Sequence, residues 1–255
     1  MPRSIWNGTI TFGLMRVPIK VHSATQDRSV HFHEVHAKDG GQIEHRRICS
    51  KEEKAVPYNQ VAKGYEVRKG EYVLLDQEEI DAAAGRQSRE IELEEFVAAG
   101  EIDPVYYNRG YYLGTGDDGE DAYRLLHDAM RRAERVGLGR WVFHNREYLV
   151  AVRPLDDVMA LHTMRFADEL VDAKSLNLPS PSRKPSGKEV DMAGKLVDSL
   201  GAAFDPGKFE DSYRERVLAL LEAKGRGEEP ELPGVAEPAG DTDLMAALTA
   251  SLEGR

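Results

Sequence analysis

Apolar and polar side chains alternate along the first half of the chain. In "TITF" Ile10 and Phe12 alternate with threonines, and after Gly13 the set Val17, Ile19, Val21 alternates with Pro18, Lys20, His22. A period of two puts each set on one face of a strand, so both stretches are predicted as half-buried strands. Pro18 lacks a ladder donor, which places its strand at an edge or at a bulge. Val30 and Phe32 open a further strand, Asp39-Gly40-Gly41 supplies a turn, and "QIEHRRIC" runs back. "GYEVRKGEYVLL" repeats the hairpin pattern with Lys69-Gly70 at its tip. Asp76, with Glu79 three residues on, caps a short helix that Gly85 ends. "REIELEEFV" alternates Ile91 and Leu93 with glutamates, a strand with an acidic outer face.

The second half mixes periods. "VYYNRGYYL" reads as a strand, and Ala122, Leu125, Leu126, Ala129 and Ala133 recur at helical spacing up to a stop at Gly137. "RWVFHNREYLVAVRP" is a hairpin turning near Asn145-Arg146, and "VMALHTMRF" is one more strand. "LNLPSPSRKPSG" is a linker. Ser186 and Glu189 form a capping box for a helix, and Asp205-Pro206 opens a second, whose stripe is Phe209, Tyr213, Val217 and Leu220. The composition of 225–240 predicts disorder, and 243–253 can form a short helix with Leu244, Leu248 and Leu252 on one face. These elements define a mixed α/β chain that is mainly β.

Composition alters this picture only through its distribution. The 255 residues carry a net charge of −11, which argues at first against nucleic acid. Residues 1–60, however, hold nine Lys/Arg against six Asp/Glu, together with five of the eight histidines, whereas 61–130 hold seven against seventeen. Only the local field acts on a ligand beyond a Debye length of roughly 10 Å, so an acidic protein can own a basic surface. No apolar run approaches the ~20 residues of a membrane span. The opening "MPRSIWNGTI" has no secretory apolar stretch, and one cysteine fits a reducing cytoplasm.

Three motifs invite chemistry. Gly114, Gly116 and Gly119 spell G-x-G-x-x-G between a strand and a helix, but Asp117, Asp118, Glu120 and Asp121 would repel a pyrophosphate there. The motif therefore reads as a helix-entry loop, with its acids suited to the helix dipole. The glutamates at 90, 92, 94 and 95 read as a solvated strand face. "HFHEVHAKDGGQIEHRRICS" gathers His31, His33, His36, His45 and Cys49, yet lacks the paired ligand spacing of a structural zinc site. A metal-dependent enzyme on this hairpin is the alternative reading, and a pure interaction scaffold is another. The same hairpin carries Lys38, Arg46, Arg47, Lys51 and Lys54 with no aromatic stacking ladder, a composition suited to phosphate contact.

"SIWNGTITFGLMRVPIKVHSA" resembles the opening of the bacterial Ku family, DNA-end-binding proteins of non-homologous end joining. The resemblance continues in order through "FHEVH", "GYEVRKGEYVLL", "IELEEFV", "EIDPVYY", "AYRLLHDAM", "AVRPLDDVMALHTMRFADEL", "KLVDSL" and "FDPGKFEDSYRE". It implies a β-barrel core with a bridge-like arm, two subunits closing a ring around duplex DNA, and no eukaryotic-type N-terminal domain. It also implies repair of double-strand breaks without catalysis, no cofactor, and a cytoplasmic, nucleoid-associated location. The expected partners are double-stranded DNA ends, a second copy of the chain and a multifunctional ATP-dependent DNA ligase, with no membrane.

On this reading 1–174 is the core, 175–186 a linker, 187–224 a C-terminal helical region for the dimer and ligase contacts, and 225–255 an acidic tail. Local charge and strand placement nominate Lys20, Lys38, Arg46, Arg47, Lys51, Lys54, Lys63 and Arg68 as lining the hole, with Arg16 and Arg131 as weaker choices. Two departures stand out. The paired cysteines of some family members are replaced here by Gly40-Gly41 and the single Cys49, so zinc is not carried over. The lysine-rich tail of many relatives is acidic here, with no lysine after Lys224.

Overall fold

The period-two segments at 6–23 and 90–164 form one closed barrel in the computed structural model, which describes residues 3–83, 89–176, 178, 183–228, 249 and 251. The chain divides into two compact units, one of Met1–Asp27 with Glu34–Ala173, the other of Arg28–His33 with Lys174–Arg255.

In the first unit β1 (Trp6–Phe12), β2 (Met15–Ser23), β5 (Glu90–Ala98), β6 (Tyr107–Thr115), β7 (Arg135–Phe143), β8 (Arg146–Leu155) and β9 (Val158–Met164) close in the order β1-β2-β6-β9-β8-β7-β5. All neighbours are antiparallel except β1 and β5, whose parallel pairing of Thr9–Thr11 with Glu90–Glu92 shuts the barrel. The alternation read from the sequence sets the inside. Val17, Ile19 and Val21 of β2 and Ile91 and Leu93 of β5 are buried, facing Leu113, Trp141, Val150, Val152 and Leu161. A small β3 (Lys63–Arg68) and β4 (Glu71–Leu75) pair apart from the barrel as the expected hairpin, with Gly70 at positive φ in its turn. Asp76 and Glu79 cap α1 (Gln77–Ala83) reciprocally, at 2.8 and 2.9 Å. Gly85, read as its stop, lies outside the described residues.

Pro18 is not on an open edge. It pairs with Thr9 on one side, while on the other β6 begins its ladder at Ile19, and the Pro18 carbonyl accepts a bond from the Gly116 amide at 2.9 Å. The missing N–H thus faces the strand end, where no ladder partner is lost. This contact also explains the glycine motif. A Cβ on Gly116 would lie 2.7 Å from the Pro18 Cβ, and one on Gly119 would lie 2.9 Å from its carbonyl oxygen. The glycines let the β6–α2 loop cross over Pro18.

Helix α2 (Glu120–Ala133) caps one end of the barrel, but with a different face from the one its spacing predicts. Tyr123, Leu126, His127 and Met130 are buried, and Leu125 is exposed. The reason is polar satisfaction: the Tyr123 hydroxyl donates to the Leu113 carbonyl at 2.5 Å and accepts from the Met159 amide at 2.7 Å. Burial holds that phenol above its ordinary pKa. His127 contacts Asp128 at 2.9 Å and the Asp156 carbonyl at 3.0 Å. The helix stops at Glu134, in the left-handed region at φ 54°, and Gly137 lies inside β7 instead. The β7–β8 turn falls on His144-Asn145, both at positive φ, one residue earlier than expected.

The stretch from 28 to 57 departs most from its prediction. Instead of a hairpin of two strands it has two isolated bridges, Val35 with Gln42 and Ile48 with Ala55.

In the second unit the Ser186–Glu189 capping box opens α3 (Gly187–Ser199). Arg183 forks onto the buried Glu189 carboxylate at 2.5 and 2.8 Å. That guanidinium, followed by the Ser186 bonds, holds the Glu189 carboxyl far below the usual range. Asp205-Pro206 starts only a single 3-10 turn, and α4 (Ser212–Gly225) begins later, where Asp211 accepts from the Arg214 amide. The expected 225–240 disorder falls beyond the described residues from 229 on, and the 243–253 helix lies outside them apart from Thr249 and Ser251.

Candidate nucleic-acid interface

Seven of the eight nominated basic residues lie on the arm formed by residues 34–75. No residue of this arm is buried, and only Cys49 and Val56 are even partly covered. Its order comes from local bonds. One tip is closed by the Gly40 amide to the His36 carbonyl at 2.8 Å and by the His36 amide to the Gly41 carbonyl at 2.7 Å. The Asp39 carboxylate stiffens it, accepting from the Gly41 amide at 3.0 Å and meeting His36 Nδ1 at 2.9 Å. These contacts, the amide first, hold the Asp39 carboxyl below its usual value. Lys38 projects from this tip.

A second tip is closed by the Cys49 amide to the Lys54 carbonyl and the Val56 amide to the Arg47 carbonyl. It brings Arg47, Lys51 and Lys54 together. The Arg47 guanidinium lies over the Tyr58 ring, 5.2 Å from its centroid, and Arg46 stands 3.8 Å from Glu44. Lys63 and Arg68 occupy the two ends of β3. Lys63 donates to Gln77 at 3.2 Å, and Arg68 stands 3.9 Å from Glu71. Five residue steps of strand separate them, on the order of 17 Å at the usual rise. Lys20 is elsewhere, on the barrel wall, tied to Asp117 at 2.6 Å.

The histidines of the arm bond to carboxylates: His36 to Asp39 and His45 to Glu34 at 3.0 Å. Among the described residues no group of three or more His, Cys, Asp or Glu side chains could hold a metal ion.

Strand register reveals a surface that the linear sequence concealed. On the outer face of β2-β6-β9-β8, His22 stands opposite Tyr112, Tyr112 opposite Ala160, and Ala160 opposite Arg153. One row away His162 lies between Gly110 and Ala151, and Lys20 is opposite Gly114. Arg153 Nε donates to His162 Nε2 at 3.3 Å. Burial, and then the neighbouring Arg153 charge, hold the His162 pKa below its ordinary value, so the ring is neutral and able to accept that bond. The opposite wall differs: Glu90 pairs with Arg16, and Arg140 bridges Glu94 and Glu147. The β2-β6-β9-β8 wall thus groups His22, Tyr112, Arg153 and His162 beside a Lys20 held by Asp117, and the other wall carries the Arg16–Glu90 and Arg140–Glu94 pairs. Of the first four only His22 stood out in the sequence, as a polar position alternating with Val17, Ile19 and Val21, and only the register assembles the group.

A closed seven-stranded barrel with a solvent-exposed arm, followed in sequence by a helical unit, defines a class of β-barrel proteins with an extended arm. Residues 11–192 match the sequence profile of the Ku family, described as Ku70/Ku80 beta-barrel domain. The chain is 45% identical over 255 residues to the non-homologous end joining protein Ku of Anaeromyxobacter sp. (strain K), covering 99% of this chain and 86% of that one. It is 38% identical to the protein of the same name from Heliobacterium modesticaldum, covering 98% and 91%, and 35% identical to that of Mycobacterium tuberculosis, covering 99% and 96%. The chain belongs to the Ku family, in its bacterial form.

Proposed function

We propose that this Ku protein is a homodimeric ring that threads onto double-stranded DNA ends without reading their sequence. It then recruits and stimulates an ATP-dependent DNA ligase in the end joining of double-strand breaks. The observation that carries the reading is the arm. Its basic residues and its apolar residues are both left in solvent, with Tyr65, Tyr72 and Leu74 more than half exposed. A two-stranded hairpin is marginal in water by itself, so such an arm needs something to lie against. A second copy supplies the apolar cover, and a duplex in the enclosed space supplies phosphates for Lys38, Arg46, Arg47, Lys51, Lys54, Lys63 and Arg68. Lys20 joins them from the barrel wall. Contacts to phosphate and sugar fix position without sequence information, as a protein that accepts any broken end requires.

The protein acts as a clamp and itself catalyses no reaction, working in the cytoplasm at the nucleoid. Among the described residues no helix is long and apolar enough to cross a membrane. We assign 1–174 to the ring, 175–186 to a linker, 187–224 to dimer and ligase contacts, and 225–255 to an acidic tail. The deciding experiment is competition between plasmid forms. Linearised plasmid should displace a labelled duplex, while the same plasmid supercoiled should compete poorly. Equal competition by the two forms would exclude threading. Binding should also weaken with salt, at a log–log slope of roughly −0.9 per phosphate neutralised. Truncation after residue 185 should spare threading and lower ligase stimulation, and undiminished ligation would remove the ligase assignment.

A further inference from the structure

Helix α2 covers one end of the barrel. At the other, where β1 and β6 begin and β2 and β7 finish, a cavity of about 550 Å³ opens between strand ends. Tyr111 and Phe143 line it together with Ser23, Thr25, Arg109 and His144. A neighbouring cavity of about 350 Å³ shares Ile5, Phe143 and His144 and adds Arg89 and Asn145. The aromatic lining is held in place: Phe143 stacks on the fully buried Trp141 at 4.5 Å and 15°, and its other neighbour is the His144 ring at 4.1 Å. His144 is presented by the tight β7–β8 turn.

The charged side chains lining the two cavities are arginines among the described residues, Arg109 in one and Arg89 in the other. Among the described residues no Asp or Glu lines either cavity, and neither the Arg89 nor the Arg109 guanidinium has an ion-pair or hydrogen-bond partner. The acid tied to the rim, Asp81, accepts a bond from Asn145. The main ion pairs of the barrel lie on the wall, at Arg16–Glu90 and Arg140–Glu94. The arrangement is an aromatic floor between two unengaged guanidinium groups, in a volume typical of small-ligand sites at ~300–1,000 Å³. A flat ring stacks on aromatic faces, and guanidinium forks match phosphate oxygens.

We infer that the open mouth of the barrel binds a nucleotide unit, its base on Phe143 and His144 and its phosphates on Arg109 and Arg89. Two sources share that chemistry, the unpaired strand of a DNA end and a free nucleotide. The first rests on the function proposed above, and the second does not. Only an unpaired base suits the site, because a base within a duplex has its faces covered by its neighbours.

The test uses the full chain. Fluorescence anisotropy measures binding to one duplex in two forms, blunt and with a short 3′ overhang, and calorimetry measures 5′-dAMP. The overhang form should bind more tightly, on the order of tenfold, as expected for one stacked base. Arg109→Ala and Arg89→Ala should erase that preference and leave blunt binding unchanged, while Arg109→Lys should restore part of it. Binding of 5′-dAMP that is lost in Arg109→Ala would assign the site to free nucleotides instead. If neither duplex binds, the clamp reading fails by itself, and the 5′-dAMP arm still decides the mouth. Equal affinity for both duplexes together with no 5′-dAMP binding, or a preference that survives both alanine variants, would overturn the inference.

Discussion

The barrel and the arm spend the same kinds of residue in opposite ways. In the barrel Trp141, Ile91, Leu113 and Leu161 are completely covered, and outward charges such as Arg140 with Glu94 and Glu147 are paired across neighbouring strands. On the arm Tyr65, Val67, Tyr72 and Leu74 remain exposed, and the cations carry only weak or long-range pairings. The barrel buries its own driving force for folding. The arm is ordered by turn bonds worth little each in water, and its remaining contacts have to come from outside the chain. A domain whose stability and whose binding surface are kept in separate places can change one without the other. That separation is what the predictions test.

The largest effect should come from the barrel. Trp141→Ala removes the ring on which Trp6, Tyr111, Phe143 and Tyr148 converge, and should cost about 3–5 kcal/mol in urea unfolding. Its indole N–H has no partner among the described residues, so the loss is one of packing. The matched change on the arm, Leu74→Ala, should move unfolding by less than about 0.5 kcal/mol at concentrations where the chain is monomeric. The same variant should weaken self-association in sedimentation. A Leu74→Ala protein that unfolds as easily as Trp141→Ala would mean that the arm belongs to the barrel's cooperative unit.

A smaller effect isolates one polar link. Tyr123→Phe keeps the ring inside but leaves the Leu113 carbonyl and the Met159 amide without their shared hydroxyl. Unsatisfied buried groups cost about 1–3 kcal/mol, read in the same denaturant titration. A neutral result would show that water replaces the hydroxyl and that the α2 cap is looser than its burial implies.

The two regions also differed in how far they could be read in advance. Val17, Ile19 and Val21, or Ile91 and Leu93, sit on strands buried on one face, so a period of two translates directly into inside and outside. On the arm nothing is buried, so alternation does not mark an inside there even though β3 and β4 pair as expected, and just before the arm Val30 and Phe32 signalled a strand that does not form. For α2 the alanines misled because they pack adequately on either face, whereas Tyr123 and His127 look polar and yet find buried partners. Glu134 ends that helix in a conformation more typical of glycine, a choice dictated by the tight passage into β7. The arm's basic residues were legible as charge. His22, Tyr112, Arg153 and His162 were not legible as a group, because they come from four strands whose neighbours depend on barrel closure. The open mouth, with Arg89 and Arg109, was hidden for the same reason.

The smallest predicted effect lies at the tip of the arm and tests whether that tip is locally held. Asp39 is exposed, and its carboxylate is the acceptor for the Gly41 amide and the partner of His36. Its folded pKa is therefore depressed below the ordinary 3.8, by the Gly41 bond first and His36 second. A carboxylate shifted in this direction contributes to order above its unfolded pKa, and the contribution is lost as pH falls through the folded value. Acidification below about pH 4 should thus shift the Gly41 amide resonance in a single titration, while resonances of Val150 and Leu161 in the barrel stay fixed. Asp39→Asn keeps an oxygen acceptor but has no proton to gain, so the Gly41 titration should disappear with little change in unfolding. A barrel that titrates along with the tip would show the two regions to be coupled, and the tip's bonds to be more than local.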